Sequence, residues 1–194
     1  MIFETHAHYD DEAFDADREE LLNSMEEHGI GAVINVSANL ESLDRTRELM
    51  ERYPFIYGAV GLHPDEIGDM SETVLEKIRT LCRLEKTVAV GEIGLDYYWD
   101  KEDHETQRVW FERQLELARQ EKLPVIIHSR VAAADTLQVM KSCRAGEIGG
   151  VLHCFSYSKE MAAEYLNMGL YLGIGGVLTF KNARKLREAV GYAP

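Results

Sequence analysis

Five of the seven histidines close short apolar runs, and this spacing is where chemistry is expected. His6 and His8 end the first run, His63 the third, His128 the fifth and His153 the sixth, while Glu92 ends the fourth. Side chains on a strand alternate between its two faces, so residues two apart share one. His6 and His8 therefore point to the same side and can grip one cation. Neutral imidazole and carboxylate suit Zn²⁺ and other first-row divalent ions. Glu92, with two oxygens, can bridge two ions, and His128 and His153 can hold the second. Ions about 3.5–4 Å apart can clamp an attacking oxygen and a phosphoryl oxygen together. An isolated His-x-His pair is weak evidence, because most such histidines are solvated or packed. Three further ligand types, each ending its own apolar run, make the reading strong.

The elements that must position these groups alternate along the chain. Strands are expected to begin near Ile2, Ala32, Phe55, Thr87, Pro124, Gly150 and Leu170. Runs such as GAVINVS, TVAVGEIGLD and LPVIIHS are almost continuously apolar, as in strands buried on both faces of a parallel sheet. Between them lie amphipathic stretches: Asp17 to His28, Leu43 to Tyr53, Ser71 to Leu84, Asp103 to Lys122, Ala133 to Cys143, Lys159 to Met168 and Asn182 to Val190. One βα unit roughly every 28 residues implies a (β/α)8 barrel or a doubly wound sheet. No glycine-rich nucleotide fingerprint follows the first strand, which favours the barrel. The fold class expected is α/β, a TIM-type (β/α)8 barrel stopping after about seven βα units. Residues 1–194 are read as one domain lacking the last unit. In such barrels catalytic groups gather at the C-terminal rim, where strands distant in sequence converge.

Other conspicuous residues carry plainer readings. His28 is expected as a solvated residue near a helix C-terminus and His104 as a polar helix-start residue. Cys154, next to His153, is expected on the opposite face as a small buried apolar group, and Asp10-Asp11-Glu12 as a solvated loop. Trp110 and Phe111 are expected in the core. Three cysteines without close pairing fit a reduced, cytoplasmic protein, and no leader is expected from MIFETHAHYDDE. No apolar run approaches the roughly 18 residues of a membrane span, so no membrane partner is expected. The formal charge of −13 offers none of the basic footprint of proteins that track long nucleic acid.

The strings ETHAHYD, GLHPDE, VGEIGLDYYW, LPVIIHSR, GGVLHCFS and LGIGGVLTFKNA occur in an order that resembles the TatD-type metal-dependent deoxyribonucleases along the whole chain. The resemblance implies an amidohydrolase-like barrel that hydrolyses DNA phosphodiesters, with a 3′–5′ exonuclease as the expected activity. It implies that His6, His8 and Glu92 hold one divalent ion and Glu92, His128 and His153 the other (Zn, Mn or Mg). His63 and Glu92 are the catalytic residues it implies. His63 and Arg130 would meet substrate phosphate, Arg130 through its fork of donors. The expected partner is DNA, single-stranded or at its ends. Three positions depart from the family pattern: Val131 stands where aspartate is usual, Tyr157 where glycine is, and Glu4 where aspartate is common. The aspartate string that follows the family's eighth strand is also missing. The alternatives are a metal-dependent hydrolase of a small amide, lactone or phosphate, which the acidic charge favours, and an inactive fragment with open sheet edges.

Overall fold

The computed structural model describes residues 1–99 and 102–194. Seven parallel strands form one sheet in the order β1 to β7: Ile2–Ala7, Ile30–Val36, Ile56–Val60, Thr87–Asp96, Val125–Arg130, Gly150–Leu152 and Tyr171–Leu172. Each strand pairs with the next in sequence. Among the described residues β1 and β7 do not pair with each other, so the sheet is an open arc of a βα barrel. The helices are α1 (Arg18–Asn23), α2 (Leu40–Arg52), α3 (Glu72–Cys82), α4 (His104–Glu121), α5 (Ala133–Ser142), α6 (Lys159–Asn167) and α7 (Arg184–Tyr192). The α/β barrel architecture expected from the alternation is the one observed.

Local chemistry accounts for most boundaries. Ser71 accepts from Val74 N, capping α3 as its position predicts, and Asn39 and Ser42 form a reciprocal capping box at α2. Asp103 and Ser158 cap α4 and α6 in the same way. The first helix is shorter than expected and ends at Asn23 rather than His28. The Ser24 hydroxyl bonds Leu21 O, and the backbone bonds of Ser24 and Met25 tighten to the i→i+3 pattern, which unwinds the helix into turns. His28 lies in those turns, exposed as expected, with Nδ1 2.8 Å from Ser24 O.

Helical periodicity decides what is buried. Leu43, Thr46, Leu49 and Met50 of α2 and Leu75, Ile78, Leu81 and Cys82 of α3 turn inward. The main core joins Leu62, Ile78, Val90, Ile93, Phe111, Leu115 and Ile127. Each such side chain contributes roughly 1.5–3 kcal/mol relative to leaving it in water. Phe111 is buried as expected, and the half-buried Trp110 packs against the same core. A separate small cluster, Val36, Ala59, Ala89 and Ile126, lies on the other face of the sheet. Asn35 bonds Thr46 of α2, so its neighbours Ile34 and Val36 point away from the helices. Ile126 shares its face with His128, two residues on, so the small cluster floors the concave side on which the histidines stand.

Two features fix the strands under the site. Gly94 (φ +147) and Gly150 (φ +146) flank β5, where an added Cβ would lie 1.9 Å from His128 O and 2.1 Å from Val125 O. Glycine alone allows that approach. Gln107 and Gln114, seven apart on α4 and fully buried, each staple a strand end through backbone groups. Gln114 accepts from Leu62 N and donates to Leu62 O, and Gln107 does the same for Asp96.

Gly94→Ala is expected to lower the unfolding free energy by about 3 kcal/mol or more, through backbone strain and overpacking together. Gln114→Leu is expected to cost about 3 kcal/mol, because it strands a buried N–H and C=O at Leu62. Urea unfolding midpoints measure both. Wild-type midpoints would remove the close strand approach and the glutamine staple as determinants of the fold.

Candidate metal centre

The cluster forms at the C-terminal ends of the strands, and its centre is Glu92. This glutamate does not end its strand as the sequence reading has it. β4 runs on to Asp96, because Gly94, Leu95 and Asp96 stay paired with His128, Ser129 and Arg130 of β5. Glu92 is 3% exposed. Its Oε2 lies 3.2 Å from His6 Nε2 and 3.8 Å from His8 Nε2, and its Oε1 lies 2.9 Å from His128 Nδ1.

His6 stands on β1 and His8 one residue past its end, and the two rings meet on one side. Their Nε2 atoms are 3.1 Å apart, and His8 Nδ1 is 2.7 Å from Val36 O. His153 follows β6 by one residue and stacks on His6, ring centroids 3.4 Å apart. His63 lies beyond β3, where it caps the short turn Pro64–Asp69 by accepting from Asp65 N through Nδ1. Its ring stands against His128, 4.2 Å between centroids. The sequence-selected residues His6, His8, His63, Glu92, His128 and His153 thus meet in one place. Arg130 lies at its rim, as the last residue of β5.

Asp96 was missed by the sequence reading. It is 1% exposed, with Oδ2 3.0 Å from His128 Nε2. The signal was available, because positions 92 and 96 are an even number apart on one strand and so share a face. Donor atoms fall into two groups, His6 with Glu92 and His153, and His63 with Asp96 and His128, each within 4.8 Å of one another. The expected sets instead placed His153 with His128.

Two plainer expectations are corrected. Cys154 is exposed and lines the cavity. β6 stops at Leu152 and Cys154 has φ +46, so strand alternation no longer governs where its side chain goes. Asp10 is buried, not solvated: Asn35 Nδ2 donates to it at 2.8 Å, and Arg45 and Arg18 bind its carbonyl. Asp11 and Glu12 are exposed as expected, and His104 opens α4.

The electrostatics favour cation binding. Burial pushes the His63 and His153 imidazoles down to about 4, so both are neutral near pH 7, the form that ligates metal. Burial would raise the Glu92 carboxyl, but hydrogen bonds from His128 and His6 hold it well below the usual range. Burial opposes charge on His128 too, yet Glu92 and Asp96 prevail and raise its pKa. Neither carboxylate has a Lys or Arg ion-pair partner among the described residues. Buried charge of that kind requires compensation. His6 Nδ1 is buried without a hydrogen-bond partner. The donor set of five imidazoles and two buried carboxylates therefore fits divalent cations.

His8, His63, Glu92, His128 and His153 of the cluster line a cavity of about 820 Å³. No helix among the described residues is long and apolar enough to cross a membrane. Comparison with known proteins agrees with this geometry. The family described as TatD related DNase matches residues 3–194. An uncharacterized metal-dependent hydrolase of Bacillus subtilis, YabD, is 41% identical over the whole of this chain and 76% of its own length. The crystal structure of the TatD homologue YjjV from Escherichia coli superposes with a TM-score of 0.92 at 34% identity, over all of this chain and 75% of that one. A TatD family hydrolase from Entamoeba histolytica gives a TM-score of 0.88 at 25% identity, over all of this chain and 70% of that one. A buried histidine–carboxylate cluster at the rim of a βα arc, together with these matches, places the chain in the TatD-related family of metal-dependent hydrolases.

Proposed function

We propose that this hydrolase cleaves phosphodiester bonds of DNA as a 3′–5′ exonuclease, acting on single strands or ends with two divalent ions (Zn, Mn or Mg). The observation that carries the reading is Glu92, buried between the two donor groups and touching both. His6, His8, Glu92 and His153 would hold one ion, and His128 with Asp96 and the second oxygen of Glu92 would hold or orient the other, with His63 beside them facing substrate. When bound, such ions polarise a phosphoryl oxygen and lower the pKa of water.

The protein's own groups do the rest. His63 is neutral near pH 7 and half-buried beside His128, and its Nδ1 accepts from Asp65 N, so its Nε2–H can donate a hydrogen bond to a phosphoryl oxygen. Arg130 has no ion pair among the described residues, which leaves its guanidinium for a substrate phosphate. Asp96 fixes the ring orientation of His128 from the far side, as carboxylates behind metal-binding histidines do.

One observation favours a smaller substrate. The cavity wall carries Asp11, Glu12, Glu41, Asp65 and Glu66, and its other arginine, Arg45, is occupied by Glu41 at 2.7 Å and Asp15 at 3.3 Å. A small phosphate, amide or lactone would meet less repulsion there than a long polyanion.

Single-stranded DNA labelled at its 5′ end is expected to shorten progressively from the 3′ end when Mg²⁺, Mn²⁺ or Zn²⁺ is added. His128→Ala should abolish that activity. Turnover of a small-substrate panel with intact DNA would establish the second reading, and unchanged activity in His128→Ala would dismiss the assigned site. Metal at about 100 times its Kd should raise the unfolding free energy by about 2.7 kcal/mol over protein in EDTA. Asp96→Asn should weaken metal affinity about 10–100-fold. Calorimetric titration reads both, and metal-independent melting would remove the ions from the proposal.

A further inference from the structure

Beside the cluster stand two aromatic side chains with no role in the core. Tyr98 and Trp99 follow β4 after one intervening residue, are 55% and 56% exposed, and meet edge to face with centroids 4.8 Å apart. Tyr and Trp with an open ring face are enriched where a partner or ligand packs. Arg130 lies on them: its Cζ is 3.8 Å from the Tyr98 centroid and 5.3 Å from that of Trp99. The same arginine lines the cavity.

The position of this group is set by the cluster itself. Asp96 accepts from Tyr98 N at 2.8 Å and Trp99 N at 3.4 Å through Oδ1, while its Oδ2 meets His128. One buried carboxylate therefore ties the aromatic pair to the reacting end of the cavity. Tyr98 is covered by the guanidinium and orients it. Trp99 keeps an open indole beside an arginine whose donors have no carboxylate to bind among the described residues.

We propose that Trp99, Tyr98 and Arg130 form a subsite for one unpaired terminal nucleotide, with its base stacked on Trp99 and its phosphate on Arg130. The inference rests on the nuclease reading and adds to it how the substrate is held. Stacking suits any base, since each has a π face, which gives grip without sequence preference. The charge distribution limits the grip to one nucleotide. Among the described residues lining the cavity Arg130 is the one cation without a carboxylate partner, and Asp11 and Glu12 repel further phosphates across the cavity. A nucleotide at a chain end fits this wall better than the interior of a long strand.

The test compares binding of dAMP with that of 2-deoxyribose 5-phosphate, which carries the same sugar and phosphate but no base. Titration calorimetry on the full chain should show dAMP binding about tenfold tighter or more. In Trp99→Leu that preference should fall to about onefold, and Arg130→Ala should weaken both ligands. In Trp110→Phe, where Trp99 is the remaining indole, dAMP should quench the fluorescence and the sugar phosphate should not. Equal affinities in the wild type, or a preference that survives Trp99→Leu, overturns the subsite. DNA cleavage is scored separately. A base preference without cleavage leaves the subsite standing and ends the nuclease reading. Cleavage without a base preference does the reverse.

Discussion

The buried negative charge of Glu92 is the constraint around which the rest is arranged. A carboxylate 3% exposed, without Lys or Arg partners among the described residues, is stable only if other groups stabilise its charge. Here they are imidazoles: His6 and His8 on one oxygen, His128 on the other. Those rings come from β1, the residue just past it, and β5, which are distant in sequence and brought together by curling the sheet. Asp96 adds a second buried charge on the far side of His128. Two carboxylates sharing so few protons form a strong attractor for divalent cations, and the concave sheet face is what holds them apart from solvent.

Rigidity beneath this cluster comes from backbone clamps more than from side-chain volume. Gln107 and Gln114 lie two turns apart on one face of α4. Each amide matches a donor and an acceptor of a strand end, Asp96 in one case and Leu62, next to His63, in the other. A single helix thereby fixes two positions of the site without entering it. Gly94 and Gly150 work from the opposite direction, letting β4 and β6 close on β5 so that His128 projects between them. Apolar residues there would have buried more area but given no register.

The strands and most helices were legible because their periodicities differ and their caps are explicit, as at Ser71. The five histidines were legible because each falls at or just beyond a strand end, and Glu92 because a carboxylate inside an apolar run asks for a partner, although its strand runs on to Asp96. What escaped depended on facts that patterns do not carry. Asp96 stood in an apolar string as one more acidic residue, and its role required knowing that β4 continues four residues past Glu92. Cys154 followed the alternation rule on paper, but its strand had already ended. Asp10 looked like part of a charged loop, whereas Asn35 and Thr46 build a buried polar network that takes it in. The division of donors between the two groups depends on ring orientation, which spacing alone does not determine.

The charge of the whole chain and the charge of the site answer different questions. A formal −13 sets a repulsive field toward polyanions at long range, screened beyond about 8–10 Å at ordinary ionic strength. Within the cavity the balance is local: Glu41 and Asp15 consume Arg45, while Arg130 has no carboxylate partner among the described residues and lies against Tyr98. Bound divalent ions would reverse the sign at the base of the cavity and leave the wall acidic. The proposed nucleic-acid substrate would then meet attraction over about one phosphate and repulsion over its neighbours. That profile selects for reach, not for total charge, and makes an acidic surface compatible with an anionic substrate that offers its end.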